Sequence, residues 1–416
     1  MASIEGKFIQ FGCWNQGFCS DVADPNPITR VMHTLKEYIA EPGNKPDFIV
    51  VAGDNYYPLK VETDILKTKY IEPVIMASGF DCLPKDIPID MILGNHDLET
   101  NLKDNLFIEN DSVKEKGDCF ITTNEIALAR RNNIALVVNK SRLFGGHTLV
   151  LMIDTSMYDD SDVTDMLPCY RKMAGYEDIP DVATLRAKQW EFIAEELGKY
   201  PQDRLKNIII IGHHPITGYK YSEKIKDGKT KETFELMNGF TSFIDMLVNG
   251  IYAMTKKDKL NYYYLCADTH LYQEGTVELE GKMTIQQYIV GTGGSKLDLD
   301  PKLSKKIPIP RDYKPHEFNN DTIIKIGTYT MSAEQLSRSK AVHGFLECVY
   351  RDTNLTFKFI PISASEGASE GGSRKRHIQK YKPLSKIRKT YRKTIKKKRS
   401  IVRRRKTKNK RIRYKK

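Results

Sequence analysis

Short apolar runs recur along the first 360 residues, and each stops at a turn-forming residue. "FIQFGCWN" opens the series, with Phe8 to Phe11 breaking at Gly12 and Cys13. "DFIVVAGDNYY" (47–57) ends in Gly53-Asp54, and "IDMILGNHD" (89–97) ends in Gly94-Asn95-His96-Asp97. "LVLMIDTS" (149–156) ends at Asp154, and "IIIIGHHP" (208–215) ends in Gly212-His213-His214. "YYYLCADTH" (262–270) ends in Asp268 and His270, and "YIVGTGG" (288–294) ends in a glycine turn. Runs of this length, rich in β-branched residues and bounded by turn signals, predict strands. Between them, "ITRVMHTLKEYIAE" (28–41) and "VATLRAKQWEFIAEELGKY" (182–200) carry apolar residues at helical spacing. Strands alternating with helices predict an α/β layered body. "GFLECVYRDTNLTFKFI" (344–360) alternates around Asp352-Thr353-Asn354 and predicts a closing β-hairpin.

Composition divides the chain. Residues 374–416 hold 24 of the 66 Lys and Arg and no acid, which leaves the remainder with 42 basic and 53 acidic residues, net −11. An acidic body over 1–361 is therefore followed by a small-residue linker at 362–373 and a Lys/Arg-rich tail at 374–416. Such a tail cannot bury a core and is expected to be disordered until it meets a polyanion. It reads as a nucleic-acid tether or a targeting signal. No apolar run reaches the roughly 20 residues of a membrane span, and no secretory leader is read at the N-terminus. The seven cysteines form no CxxC pair, which predicts unpaired thiols in a reducing compartment, cytoplasmic or nuclear.

The chemistry collects at the ends of the predicted strands. Asp54, Asn95, His213 and His270 all follow apolar runs. In open α/β sheets, ligands gather beyond the carboxyl ends of the strands. The ordered motifs GDNYY, GNHD, GHHP and a final histidine after a strand resemble the calcineurin-like metallophosphoesterase superfamily. Tyr57, three residues after Asp54, is similar to the purple acid phosphatase branch. Gln189-Trp190, the "IDT" strand end, "VGTGG" and Gly344-Phe345 add to that similarity.

The resemblance implies a β-sandwich of two mixed sheets flanked by helices, in four layers. It implies hydrolysis of a phosphate ester by a metal-bound hydroxide at a dinuclear site of iron, zinc or manganese. Asp54 would bridge the two ions, Tyr57 and His270 would bind the first, and Asn95 and His213 the second. His96 would protonate the leaving group, with Asp97 or His214 shaping its surroundings. Two positions depart from the family pattern. Cys13 stands where the family has an aspartate ligand, and Asp268 stands where it has a histidine. Both can coordinate a metal, and a thiolate shifts preference toward zinc or iron. Cys13 reads equally as a buried small hydrophobe. The alternative is a catalytically weakened member of the fold, kept as a polyanion-binding or structural protein.

Overall fold

A computed structural model describes residues 5–20, 26–57, 65–99, 119–201, 204–226, 229–255, 260–298, 323–326, 329–340, 342–351 and 354–362. The linker and the basic tail lie outside the described residues. In chain order the strands are β1 (Glu5–Phe11), β2 (Phe48–Ala52), β3 (Ile89–Ile92), β4 (Ala135–Val137), β5 (Asn139–Phe144), β6 (Thr148–Ile153), β7 (Asn207–Ile211), β8 (Thr217–Lys226), β9 (Lys229–Asn238), β10 (Asn261–Cys266), β11 (Tyr272–Leu279), β12 (Met283–Val290), β13 (Ile323–Ile326), β14 (Tyr329–Lys340), β15 (Gly344–Arg351) and β16 (Asn354–Pro361). The helices that matter here are α1 (Pro27–Ala40), α2 (Ile65–Cys82), α3 (Asn95–Glu99), α4 (Phe120–Arg131), α5 (Val163–Tyr170) and α6 (Val182–Gly198).

Strand periodicity builds the layers. Successive side chains point to opposite faces of a sheet, so a run that is apolar throughout must be covered on both. Ile9, Phe11, Ile49 and Val51 pack outward with Val31 and Leu35 of α1, Met76 and Phe80 of α2, and Ile121 of α4. Ile208 and Ile210 pack outward with Met166 of α5 and with Leu185 and Ile193 of α6. The alternate residues Phe8, Val50, Ala52, Ile209 and Ile211 face inward and meet between the sheets. The result is helix, sheet, sheet, helix, as the sequence predicts. Burying each large aliphatic side chain contributes about 1.5–3 kcal/mol.

One sheet runs β16-β15-β1-β2-β3-β4, and the other runs β13-β14-β11-β12-β10-β7-β6-β5. β1, β2, β3 and β4 are mutually parallel, as are β6, β7, β10 and β12. Their carboxyl ends carry the candidate ligands. β15 and β16 pair antiparallel from Gly344↔Pro361 to Arg351↔Asn354, the hairpin read from the sequence. Both predicted helices form close to their expected limits. Asn26 caps α1 ahead of Pro27, and Asp181 caps α6 by accepting from the Thr184 amide at 2.7 Å. No helix among the described residues is long and apolar enough to cross a membrane.

The cysteines overturn one expectation. Cys19 is bonded to Cys82 and Cys119 to Cys169, while Cys13, Cys266 and Cys348 are unpaired and buried. An odd cysteine count without CxxC spacing did not exclude bridges across 63 and 50 residues, because chain folding alone brings such partners together. Peptide mapping without reductant should recover these two pairs and leave the other three thiols open to alkylation only after denaturation. Changing Cys19 and Cys82 together to serine should lower unfolding stability by about 2–4 kcal/mol in denaturant titrations.

Candidate metal centre

Five strand ends converge on one point. β1 delivers Cys13, β2 delivers Asp54 and Tyr57, β3 delivers Asn95, β7 delivers His213, and β10 delivers Asp268 and His270. Backbone hydrogen bonds lace the loops together. The Cys13 amide donates to the Gly53 carbonyl at 3.1 Å, and the Ala267 amide donates to the His213 carbonyl at 2.9 Å. Among the described residues, six other than glycine have positive φ, and Cys13 (51°), Asp54 (52°) and Asp268 (53°) are three of them. Aspartate enters this left-handed region more readily than most residues, but cysteine does not. Backbones also approach closely here: a Cβ on Gly53 would lie 2.6 Å from His213 Nδ1. Glycine is the residue that permits the approach.

The donors divide between the two oxygens of Asp54, whose side chain is buried. On the Oδ1 side, His213 Nε2 lies at 3.2 Å, and Asn95 Oδ1 lies 3.1 Å from that nitrogen. On the Oδ2 side, the Tyr57 hydroxyl donates to Asp54 and lies 2.9 Å from His270 Nε2, while Cys13 Sγ is 3.8 Å from Oδ2. Asp268 Oδ1 is 3.9 Å from His213 Nε2. Cys13, Asp54 and His213 each offer a ligand atom within 4.8 Å of the others, and so do His213, His214 and Asp268.

Hydrogen bonds behind these groups aim them. His213 Nδ1–H donates to the Ala52 carbonyl at 2.8 Å, and His270 Nδ1–H donates to the Lys296 carbonyl at 2.6 Å. Once an ion displaces the Nε2 proton, each ring would present that lone pair inward, the usual arrangement of a metal-bound histidine. Asn95 Nδ2 donates to Glu99 Oε1 at 2.6 Å, one turn along α3, which leaves Asn95 Oδ1 facing the site. The donor set is of a kind that could hold a metal ion.

The electrostatics describe the protein without ions. Burial opposes charge on Asp54, but His213 and His96 outweigh it and hold the carboxyl well below the usual carboxylate range. Burial likewise pulls His213 down, yet the Asp54 carboxylate raises it to about 10. Burial and then Asp54 push the Cys13 thiol and the Tyr57 hydroxyl up, so both keep their protons. Burial and the neighbouring His213 lower His214 to about 3. Its Nδ1 lies 3.1 Å from Thr155 Oγ1.

Three predicted catalytic residues take different places. His96 is half-buried at the rim, its ring 4.7 Å from that of Tyr57. Asp97 lies fully buried beneath the site and acts as a clamp. It accepts the Asn55 amide at 2.6 Å, the Asn55 side chain at 2.7 Å and the Gly94 amide at 2.7 Å, tying the β2 loop to the β3 loop. His214 packs against Phe240, and its amide and that of His213 both donate to Thr155 Oγ1. Sequence reasoning missed Asn55, Glu99 and Thr155. Glu99 stands four residues after Asn95, a spacing that would flag a pair only once the GNHD segment is known to start a helix. Glu99→Ala should free the Asn95 amide to turn, and calorimetric titration should then show about 10–100-fold weaker affinity for a divalent ion.

The GAP50 anchor in the inner membrane complex of Plasmodium, a solved structure, is 13% identical to this chain. The match covers 87% of this chain and 86% of that one, at a TM-score of 0.42. The search of curated proteins found no match. The family model for the calcineurin-like phosphoesterases matches residues 8–272, a span that holds all seven donors. The chain belongs to the calcineurin-like phosphoesterase family.

Proposed function

We propose that the protein hydrolyses a phosphate ester at a centre of two metal ions bridged by Asp54, in the manner of the purple acid phosphatase branch. The division of donors between the two Asp54 oxygens carries this reading. Asn95 and His213 would hold one ion, and Tyr57, His270 and Cys13 the other, with Asp268 between them. Two ions in such a site act as Lewis acids on the phosphate and lower the pKa of water. The soft Cys13 sulfur and the imidazoles favour zinc or iron, with manganese the harder alternative. His96, at the rim beside Tyr57, would give its proton to the leaving oxygen. His214, held neutral, would support the His213 loop through Thr155. The tail at 374–416, outside the described residues, would add a separate polyanion contact, a reading that rests on its 24 cationic residues.

Cys13 favours a second reading. It replaces an anionic family ligand with a thiol that burial keeps protonated, which suits a weakened member of the fold. Metal content measured together with turnover separates the two. Under the first reading purified protein holds about two ions, Asp54→Ala loses both, and His213→Ala loses one. Wild type that stays metal-free after reconstitution and turns over no ester supports the second.

Three outcomes follow from the geometry. An ion must displace protons from His213, Tyr57 and Cys13, so apparent affinity should rise with pH, the His213 share of that rise ending near 10 while the buried thiol and phenol extend it further. Titrations at stepped pH check this, and a flat profile would contradict it. His96→Ala should keep its metal and lose about 10²–10⁴-fold in rate on an ester with a poor leaving group. Cys13→Asp should keep or raise activity with manganese, because aspartate suits both the ligand position and the left-handed backbone. Cys13→Ala should lose one ion, and an unchanged metal content would make Cys13 a packing residue.

A further inference from the structure

A polar cavity of about 430 Å³ lies at the amino ends of β3 and β4, away from the strand ends that carry the candidate ligands. Two of its walls are the loops that lead into these strands, residues 84–88 and 132–134. Lys140 and Arg142 of β5, an edge strand of the other sheet, form a third. They stand two residues apart and so share a face. Asp90, the second residue of β3, is buried and accepts from Lys140 Nζ at 2.6 Å and from Arg142 Nε at 2.5 Å. The Arg142 guanidinium also lies over the ring of the buried Phe48, 4.7 Å from its centroid. One carboxylate therefore orients two cations and can neutralise only one.

Donors remain for a ligand. The side chains of Lys140 and Arg142 are 31% and 30% exposed, and both Arg142 Nη groups are without a hydrogen-bond partner among the described residues. Lys85 brings a third cation to the lining, held by the Asn132 Oδ1 at 2.5 Å and the Phe80 carbonyl at 3.1 Å. The other acid of the lining, Asp86, is paired with Lys45 at 3.3 Å. Counting Lys45, four cations face two carboxylates, an excess of two positive charges. Arginine's planar fork grips the oxygens of phosphate or carboxylate in pairs. A phosphate monoester carries about two negative charges at neutral pH, and a simple carboxylate carries one. Cavities of about 300–1,000 Å³ hold whole organic ligands, so this one has room for more than the phosphate. Its apolar walls, Pro84, Ile87 and Ile134, would cover the organic part.

We propose that this cavity binds a small organic phosphate monoester, its phosphate held by Arg142, Lys140 and Lys85 and its organic part set against Ile87 and Ile134. The site is separate from the metal centre and stands independently of the phosphoesterase reading. The test footprints the arginines of the full-length protein with phenylglyoxal and reads each by peptide mass mapping, so that the basic tail does not enter the signal. The probe is phenylphosphonate, which has the charge and shape of a phosphate monoester and no ester bond to hydrolyse. At about ten times its half-protecting concentration it should slow modification of Arg142 about 10-fold. The exposed Arg171 should react at an unchanged rate, and the protection should be the same with metal ions added or removed. Inorganic phosphate and benzoate should each need at least about 10-fold more ligand for half-protection, the first lacking the ring and the second one charge. In the full-length K85Q/K140Q variant the half-protecting concentration of phenylphosphonate should rise at least about 10-fold. An unprotected Arg142, equal protection of Arg171, or protection that requires metal would overturn the proposal. So would an unchanged midpoint in the variant. Benzoate as effective as the probe would overturn it in favour of a carboxylate ligand, and inorganic phosphate as effective would remove the organic part.

Discussion

Asp54 keeps its charge although only 1% of its surface meets solvent. Burying an ion without compensation costs several kcal/mol, so the fold has to bring compensation to it. The His96 amide donates to Oδ1 at 2.9 Å, His213 stands beside the same oxygen, and the Tyr57 hydroxyl donates to Oδ2. These groups come from the ends of β2, β3 and β7, and β7 belongs to the opposite sheet. Holding them around one carboxylate fixes how the sheets meet at that end. The inward faces of β1, β2, β7 and β10 supply the apolar packing that keeps the sheets in place.

The same constraint accounts for the backbone. Donors must arrive from two sheets within a few ångströms, so the loops turn sharply where the strands stop. Cys13, Asp54 and Asp268 take the left-handed conformation, and Gly53 and Gly94 let the β2 and β3 loops touch. Asp97 then locks those loops from below with three accepted hydrogen bonds. Burial and the nearby Asp54 charge raise its carboxyl to about 7, as expected of an acid placed for structure inside an anionic site. Cysteine at position 13 is the one side chain here that matches neither the backbone nor the charge of its place.

The two disulfides brace segments that flank the site. Cys19 closes the loop that begins at Cys13 and fastens it to the end of α2. Cys119, at the start of α4, fastens that helix to α5. α4 in turn meets α3, because Thr122 Oγ1 donates to the Asp97 carbonyl at 2.6 Å.

Much of the fold was legible in the sequence because it depends on local periodicity. Seven apolar runs became strands, two amphipathic segments became helices, and Asp54, Asn95, His213 and His270 stood at strand ends where ligands collect. The strands β4, β5, β8, β9, β11, β13 and β14 were not read; β4 and β5 are largely half-buried, and such short segments carry a weaker pattern. Only tertiary structure could decide which cysteines pair, because loops of 50 and 63 residues leave no local trace. Only the structure could show Asp97 as a clamp and Glu99 as the group that turns Asn95, since both roles depend on where α3 begins. The sequence determined which residues could do the chemistry, and the packing of two sheets decided which of them meet.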